Sequence, residues 1–185
     1  MPRTLSLLSA LVFLAVGCGD STADTPDGST PSPMSCGSTP PMQIGRCVLT
    51  AGGECVGALG ETFSFTALSA GGDMHMVVGP QGSTMLVFLT RATGIEPGVP
   101  DIDRDPSQPL VEVTLFDAAA HTQLATYRQR TGFTMDASGY TSHQLWVVVD
   151  SLASALNGRN VTAIANVTDR NGEKRCAIID VVPRS

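Results

Sequence analysis

The dipeptide Asn171-Gly172 stands between two alternating runs, Val161–Thr168 (VTAIANVT) and Lys174–Val182 (KRCAIIDVV). Asn-Gly readily adopts the left-handed backbone of a two-residue hairpin turn, whose twist matches that of the flanking strands. A hairpin of this kind has one apolar face to bury and cannot bury it alone, so it demands a second layer.

The rest of the chain supplies that layer in the same currency. Leu110–Phe116 alternates Val111, Val113 and Leu115 against Glu112 and Thr114, and Thr62–Leu68 alternates Phe63, Phe65 and Ala67. Thr84–Ala92 is nearly continuously apolar, as expected of a strand buried on both faces. Arg46–Thr50, Met74–Val78, Gln123–Gln129 and Thr141–Val149 complete the strand-like segments. Gly71-Gly72-Asp73 and Gly79-Pro80-Gln81-Gly82 provide turns between them. Ser151–Leu156 is expected to form one helical turn at a crossover, and no segment holds a 3.6-residue period over three turns. The expected fold is an all-β, immunoglobulin-like antiparallel sandwich of about seven to nine strands, with a small barrel as the alternative.

The first residues carry a different message. Arg3 precedes an apolar stretch, Leu5–Val16, which matches the charged and hydrophobic regions of an export signal. As a helix it would rise about 18 Å, short of a hydrocarbon core of about 30 Å. Leu14-Ala15-Val16-Gly17-Cys18 resembles the lipobox of bacterial lipoproteins, which implies cleavage before Cys18 and lipid on its sulfur. Residues 1–17 are then a signal peptide, and 18–35, rich in Ser, Thr, Pro, Gly and Asp, a disordered tether. Residues 36–185 are the domain. Gly19, not Asp, follows Cys18; by analogy with such lipoproteins this implies the outer rather than the inner membrane, facing the periplasm or the cell surface.

Five cysteines fit that reading. With Cys18 assigned to lipid, Cys36, Cys47, Cys55 and Cys176 form an even set suited to two disulfides in an oxidising compartment. Three connectivities are open; a bridge from Cys36 or Cys55 to Cys176 would tie the start of the domain to its last strand. The spacings contain no C-x₂-C pair, which argues against thiolate zinc. The net charge of −6, a single lysine (Lys174) and no basic run remove the electrostatic footprint of a nucleic-acid binder.

A longer stretch, MHMVVGPQGSTMLVFLTRATGIEPG (Met74–Gly98), resembles a family of uncharacterised lipoproteins of myxobacteria and related bacteria, in which a GPQGG-type turn joins two strands. Ser83 stands here in place of the second glycine. Leu156–Asp169 (LNGRNVTAIANVTD) and the Asn-Gly hairpin are similar to the last strands of that family. The resemblance implies a β-sandwich at the cell envelope and supplies no activity.

Chemistry-bearing patterns are sparse. Asp101, Asp103, Asp105 and Glu112 fall at positions 1, 3, 5 and 12 of a calcium loop, but Pro106 occupies the position where such a loop turns on glycine. The segment reads first as a solvated acidic loop, with calcium as the competing chemistry. Met74-His75-Met76 offers soft ligands for copper, yet strand alternation sends the two methionines to one face and the histidine to the other. His121 and His143 read as exposed histidines near turns. No nucleophile elbow, zinc-protease helix or phosphate loop is present. The chain therefore reads as a non-enzymatic binding or structural module, held to a membrane by its N-terminal lipid. It would take a protein or glycan partner, and not nucleic acid, through two long loops, Thr93–Pro109 and Thr131–Tyr140. A metal-binding lipoprotein and a hydrolase of unrecognised type are the other two readings.

Overall fold

In the computed structural model, which describes residues 36, 42–50, 64–79, 82–100 and 104–185, the chain builds a β-sandwich around one long central strand. That strand is β4 (Thr84–Ala92). Along one edge it pairs with β3 (Gly72–Val78) and then with β1 (Met42–Arg46); along the other it pairs with β9 (Leu145–Val149) and then with β8 (Gly139–Ser142). Its apolar run serves both faces. Leu86 and Phe88 enter the main core, while Val87 and Leu89 pack outward beneath Cys47, Leu49, Phe65 and Trp146.

The opposite layer runs β11 (Lys174–Arg184), β10 (Val161–Thr168), β5 (Leu110–Asp117), β6 (Gln123–Arg130), each antiparallel to the next. Its inward residues are those the alternation picks out. Val111, Val113, Leu115, Ala163, Ala165 and Val181 are fully or almost fully buried; each valine or leucine among them contributes about 1.5–3 kcal/mol relative to exposure. The predicted hairpin is present, but Gly172, at φ +82°, is the one left-handed residue of its turn, and Asp169 bonds Glu173, so the loop is longer than the expected two residues.

β3 joins the layers. Its first half pairs with β11 and its second half with β4, so the sheet is a single open one, folded over and not closed into a barrel. The β4–β9 pair and the β5-β10-β11 set reproduce the B–E and C-F-G pairings of immunoglobulin-like sandwiches. The β3–β11 contact is parallel, so the sheet is mixed and not wholly antiparallel.

Among the described residues there are eleven strands, more than the seven to nine expected, because one short strand carries too little alternation to show and one expected strand is divided in two. Thr62–Leu68 contributes only β2 (Thr66–Ala67) to the described residues. The unforeseen strand is β7 (Phe133–Asp136), inside the segment expected as loop Thr131–Tyr140; it forms a hairpin with β8, which begins in that segment and ends in the expected strand Thr141–Val149. The first described strand lies at Met42–Arg46, not Arg46–Thr50. Thr141–Val149 does track β4 along its whole length, but Arg91 faces Thr141 while Phe88 faces Leu145, so three residues oppose two. That extra residue is a bulge, and it divides the segment into β8 and β9. The helical turn is α1 (Ala153–Leu156), which drops Leu156 into the core.

Cys36 and Cys176 form a disulfide. Cys176 lies on the outward side of β11, since Ala177, Ile179 and Val181 point inward. Cys47 is disulfide-bonded as well. Cys18 and Cys55 lie outside the described residues, as do the signal, lipobox and tether.

Candidate functional site

Four aspartates organise the turns of this domain. Asp105, Asp117, Asp136 and Asp169 each accept the backbone N–H two residues ahead, at 2.7–2.9 Å, the geometry by which Asp fixes a turn in its own backbone. Three of them also answer an arginine. Asp136 bonds Arg91 and Asp117 bonds Arg159, while Arg175 acts electrostatically on Asp169. Much of the acidity is therefore structural.

Asp169 and Arg175, both buried, flank the β10–β11 turn and hold the first part of loop 93–109. Arg175 donates from Nε to the Thr93 carbonyl at 3.1 Å and from Nη2 to the Gly94 carbonyl at 2.6 Å. Asp169 accepts the N–H groups of Glu96, Asn171 and Glu173, each at 2.9 Å. Burial pushes its carboxyl pKa up, but those three N–H groups and the Arg175 charge outweigh it, so the carboxyl sits below 3.8.

The second part of the loop is held by Gln108. Its buried amide donates to the Val99 carbonyl at 2.7 Å and accepts the Asp105 N–H at 3.1 Å. Arg130 donates to the Gln108 carbonyl at 2.7 Å. Thr131 donates its N–H to the Pro109 carbonyl at 3.1 Å. Gly132 sits so close to Pro100 that a Cβ there would lie 2.5 Å from the proline's carbonyl oxygen. The described parts of the two segments singled out in the sequence thus touch.

Apart from those contacts, each segment lends one residue, Thr93 and Ser138, to a groove of about 540 Å³ that Gln43, Phe65, Ala67 and Arg91 line as well. Arg91 is its organising charge. Its guanidinium lies 4.1 Å from the centre of the Phe65 ring, donates from Nε to Thr141 Oγ1 at 3.0 Å, and bonds the Asp136 carboxylate through Nη2. Nη1 makes no hydrogen bond to a described residue. A guanidinium held on three sides is a pre-organised donor. Gln43 and Ser138 add an amide and a hydroxyl. Phe65 offers little stacking surface, since Arg91 covers one face and the ring crowds Gly45, whose Cβ would fall 2.4 Å from it.

Of the four calcium candidates, Asp105 and Glu112 fall among the described residues. Asp101 and Asp103 lie outside the described residues. Asp105 Oδ1 accepts both the hydroxyl and the N–H of Ser107, at 2.5 and 2.8 Å, and these two bonds lower its pKa. Glu112 faces Arg128 across β5 and β6, with Oε2 3.6 Å from its Nε. Among the described residues, no three His, Cys, Asp or Glu side chains come together as ion ligands. Met74 and Met76 are buried in the core while the His75 position is exposed, as alternation requires. His121 is exposed, at φ +54°, whereas His143 is buried in the bulge, contrary to expectation.

Arg91 drew no notice in the sequence. Its one signal was a charge inside an apolar strand, where an unpaired arginine would be costly and a partner must exist. No protein-family model matches the chain, and neither a curated protein nor a solved structure matches it.

Proposed function

We propose that this is a non-enzymatic, lipid-anchored binding module of the bacterial cell envelope, which takes an extended segment of a protein partner in the Arg91 groove. The observation that carries the reading is a groove whose central arginine is already fixed, by Phe65, Thr141 and Asp136. Recognition there would lose little conformational entropy. The groove's single aromatic ring is largely covered, so it favours peptide carbonyls and carboxylates, which Arg91 Nη1, Gln43 and Ser138 can bond, over sugar rings, which need open stacking faces. The lipobox-like Leu14–Cys18, the Ser/Thr/Pro tether and the resemblance of Met74–Gly98 to envelope lipoproteins support the address.

The test is a photo-crosslinking amino acid at Ser138 in the full-length protein, in cells, with the same probe at exposed Thr126 as control. A discrete adduct expected at 138 should be absent at 126 and lost in Arg91→Gln. Equal labelling at both positions, or labelling indifferent to Arg91, would overturn the reading. In the same cells Cys18→Ala should leave the membrane fraction; retention after a salt wash would refute the anchor.

A further inference from the structure

Away from the Arg91 groove, the fold gathers charge that the sequence scatters. Arg104, Leu110, Arg128, Gln129 and Arg130 line a cavity of about 450 Å³ at the edge of the β5–β6 layer. The chain carries 11 basic residues against 17 acidic ones, and most of its other described arginines are committed. Arg91, Arg159, Arg170, Arg175 and Arg184 each pair with a carboxylate. Of the three lining this cavity, Arg128 alone has such a partner among the described residues, Glu112, at 3.6 Å with both side chains substantially exposed. A pair that long and wet contributes little and exchanges readily.

Two features indicate more than chance proximity. Arg128 and Arg130 are two residues apart on β6, so they share its outer face. Arg130 is also fixed by its bond to the Gln108 carbonyl. Arg104 holds φ +63°, and His121 is the one other non-glycine residue with positive φ among the described residues. A bulky side chain in that region is held there by its surroundings against a backbone cost, and here the consequence is a third guanidinium brought to the cavity from a different segment.

We infer that this cleft is a second, separate binding site, for a multiply charged oxyanion of the phosphate type. Guanidinium forks match the paired oxygens of such groups, and charge-assisted bonds to them are about twice as strong as neutral ones. The ligand neutralises the excess positive charge of the cluster as the Arg128–Glu112 contact opens. Calcium would be repelled by the same three guanidiniums.

The test uses the full-length protein in a neutral detergent, with inorganic pyrophosphate followed by calorimetry. A second arm uses vesicles of phosphatidylcholine with or without phosphatidic acid, followed by flotation of the protein. Binding of pyrophosphate to the wild type is expected, weakened roughly tenfold or more in Arg104→Gln/Arg128→Gln and unchanged in Arg170→Gln, whose arginine lies elsewhere. Enhanced flotation with phosphatidic acid that needs Arg104 and Arg128 would assign the site to a lipid headgroup. Pyrophosphate binding without it would assign a soluble or glycan-borne phosphate. Absence of binding in both arms, or binding that survives the double substitution, would overturn the inference. The Arg91 groove is untouched by these substitutions, so the crosslink at 138 should persist whichever result is obtained.

Discussion

Ser142 Oγ accepts the backbone N–H of Thr90 at 2.9 Å, across the bulge that divides β8 from β9. A strand carbonyl would normally meet that N–H; the extra residue removes it, and a serine hydroxyl takes its place. Both residues are fully buried. Ser142→Ala should therefore cost about 1–3 kcal/mol, the usual penalty for stranding a buried donor. The hydroxyl of Thr90 itself is buried and has no hydrogen-bond partner among the described residues. Thr90→Val keeps the shape and removes that polar atom, so it should be neutral or stabilising by about 1 kcal/mol. Urea denaturation of the two variants, expected to shift in opposite directions, checks both.

Acid should unfold the domain through its turn aspartates. Asp169 is held below 3.8 in the fold, as its three N–H donors and Arg175 overcome the effect of burial. Asp105, through Ser107, and Asp117, chiefly through the Ala120 N–H, are lowered too. Because folded values lie below unfolded ones, the unfolded chain takes up protons first as pH falls. The stability they contribute is complete above the unfolded value and drains away as pH drops through the folded one. Stability measured by denaturant should be flat from neutrality to about pH 5 and decline below about pH 4. Asp169→Asn should lower the plateau by about 2–4 kcal/mol and make the decline shallower, because it strands N–H groups and the buried Arg175 charge.

Alternation made most of this architecture legible. Val111-x-Val113-x-Leu115, the VTAIANVT run and the Asn171-Gly172 pair mark the strands, their buried faces and the hairpin, because a period of two admits one buried face; the register, Thr168 opposite Lys174, is not the one a two-residue turn would set. The apolar run of β4 announced burial on both sides. What pattern could not show was long-range. The parallel contact of β3 with β11 joins residues about a hundred positions apart and leaves no local trace. β7 and the start of β8 fall in a segment that the pattern gives as loop, because four-residue strands carry too few alternations, although Asp136 and Gly139 mark the turn. The arginine cleft was invisible since Arg104 and Arg128 meet only through the fold; only the Arg128-x-Arg130 spacing was readable.

The Cys36–Cys176 bridge spans 140 residues of sequence. Closing so long a loop restricts the unfolded chain strongly. Cys36→Ser/Cys176→Ser should therefore cost about 3–5 kcal/mol. The paired substitution is a cleaner probe than a reductant, since Cys47 is disulfide-bonded too. Guanidinium midpoints of wild type and variant give the number. Since Cys176 lies outside the core, the variant should keep the far-ultraviolet circular dichroism of the native sheet below its transition. A collapse of that signal in buffer would mean that the bridge is needed for folding itself.

The contact between Gly132 and Pro100 separates loop rigidity from backbone permissiveness. An added Cβ at Gly132 would meet Pro100 backbone atoms at 2.5 and 2.8 Å, and neither can move aside without shifting the loop. Gly132→Ala should cost about 1–3 kcal/mol through overpacking and should loosen loop 93–109 where it rests on the segment leading into β7. Gly172→Ala is the contrast. Its φ is +82° and nothing lies within 4 Å of the added carbon, so the cost is the left-handed penalty alone, about 1–2 kcal/mol. Similar losses of stability then have different local consequences. Amide hydrogen exchange should rise around residues 98–109 in Gly132→Ala and stay native there in Gly172→Ala. If the loop amides were equally protected in both, Pro100 and Gly132 would not be what holds the two connections together.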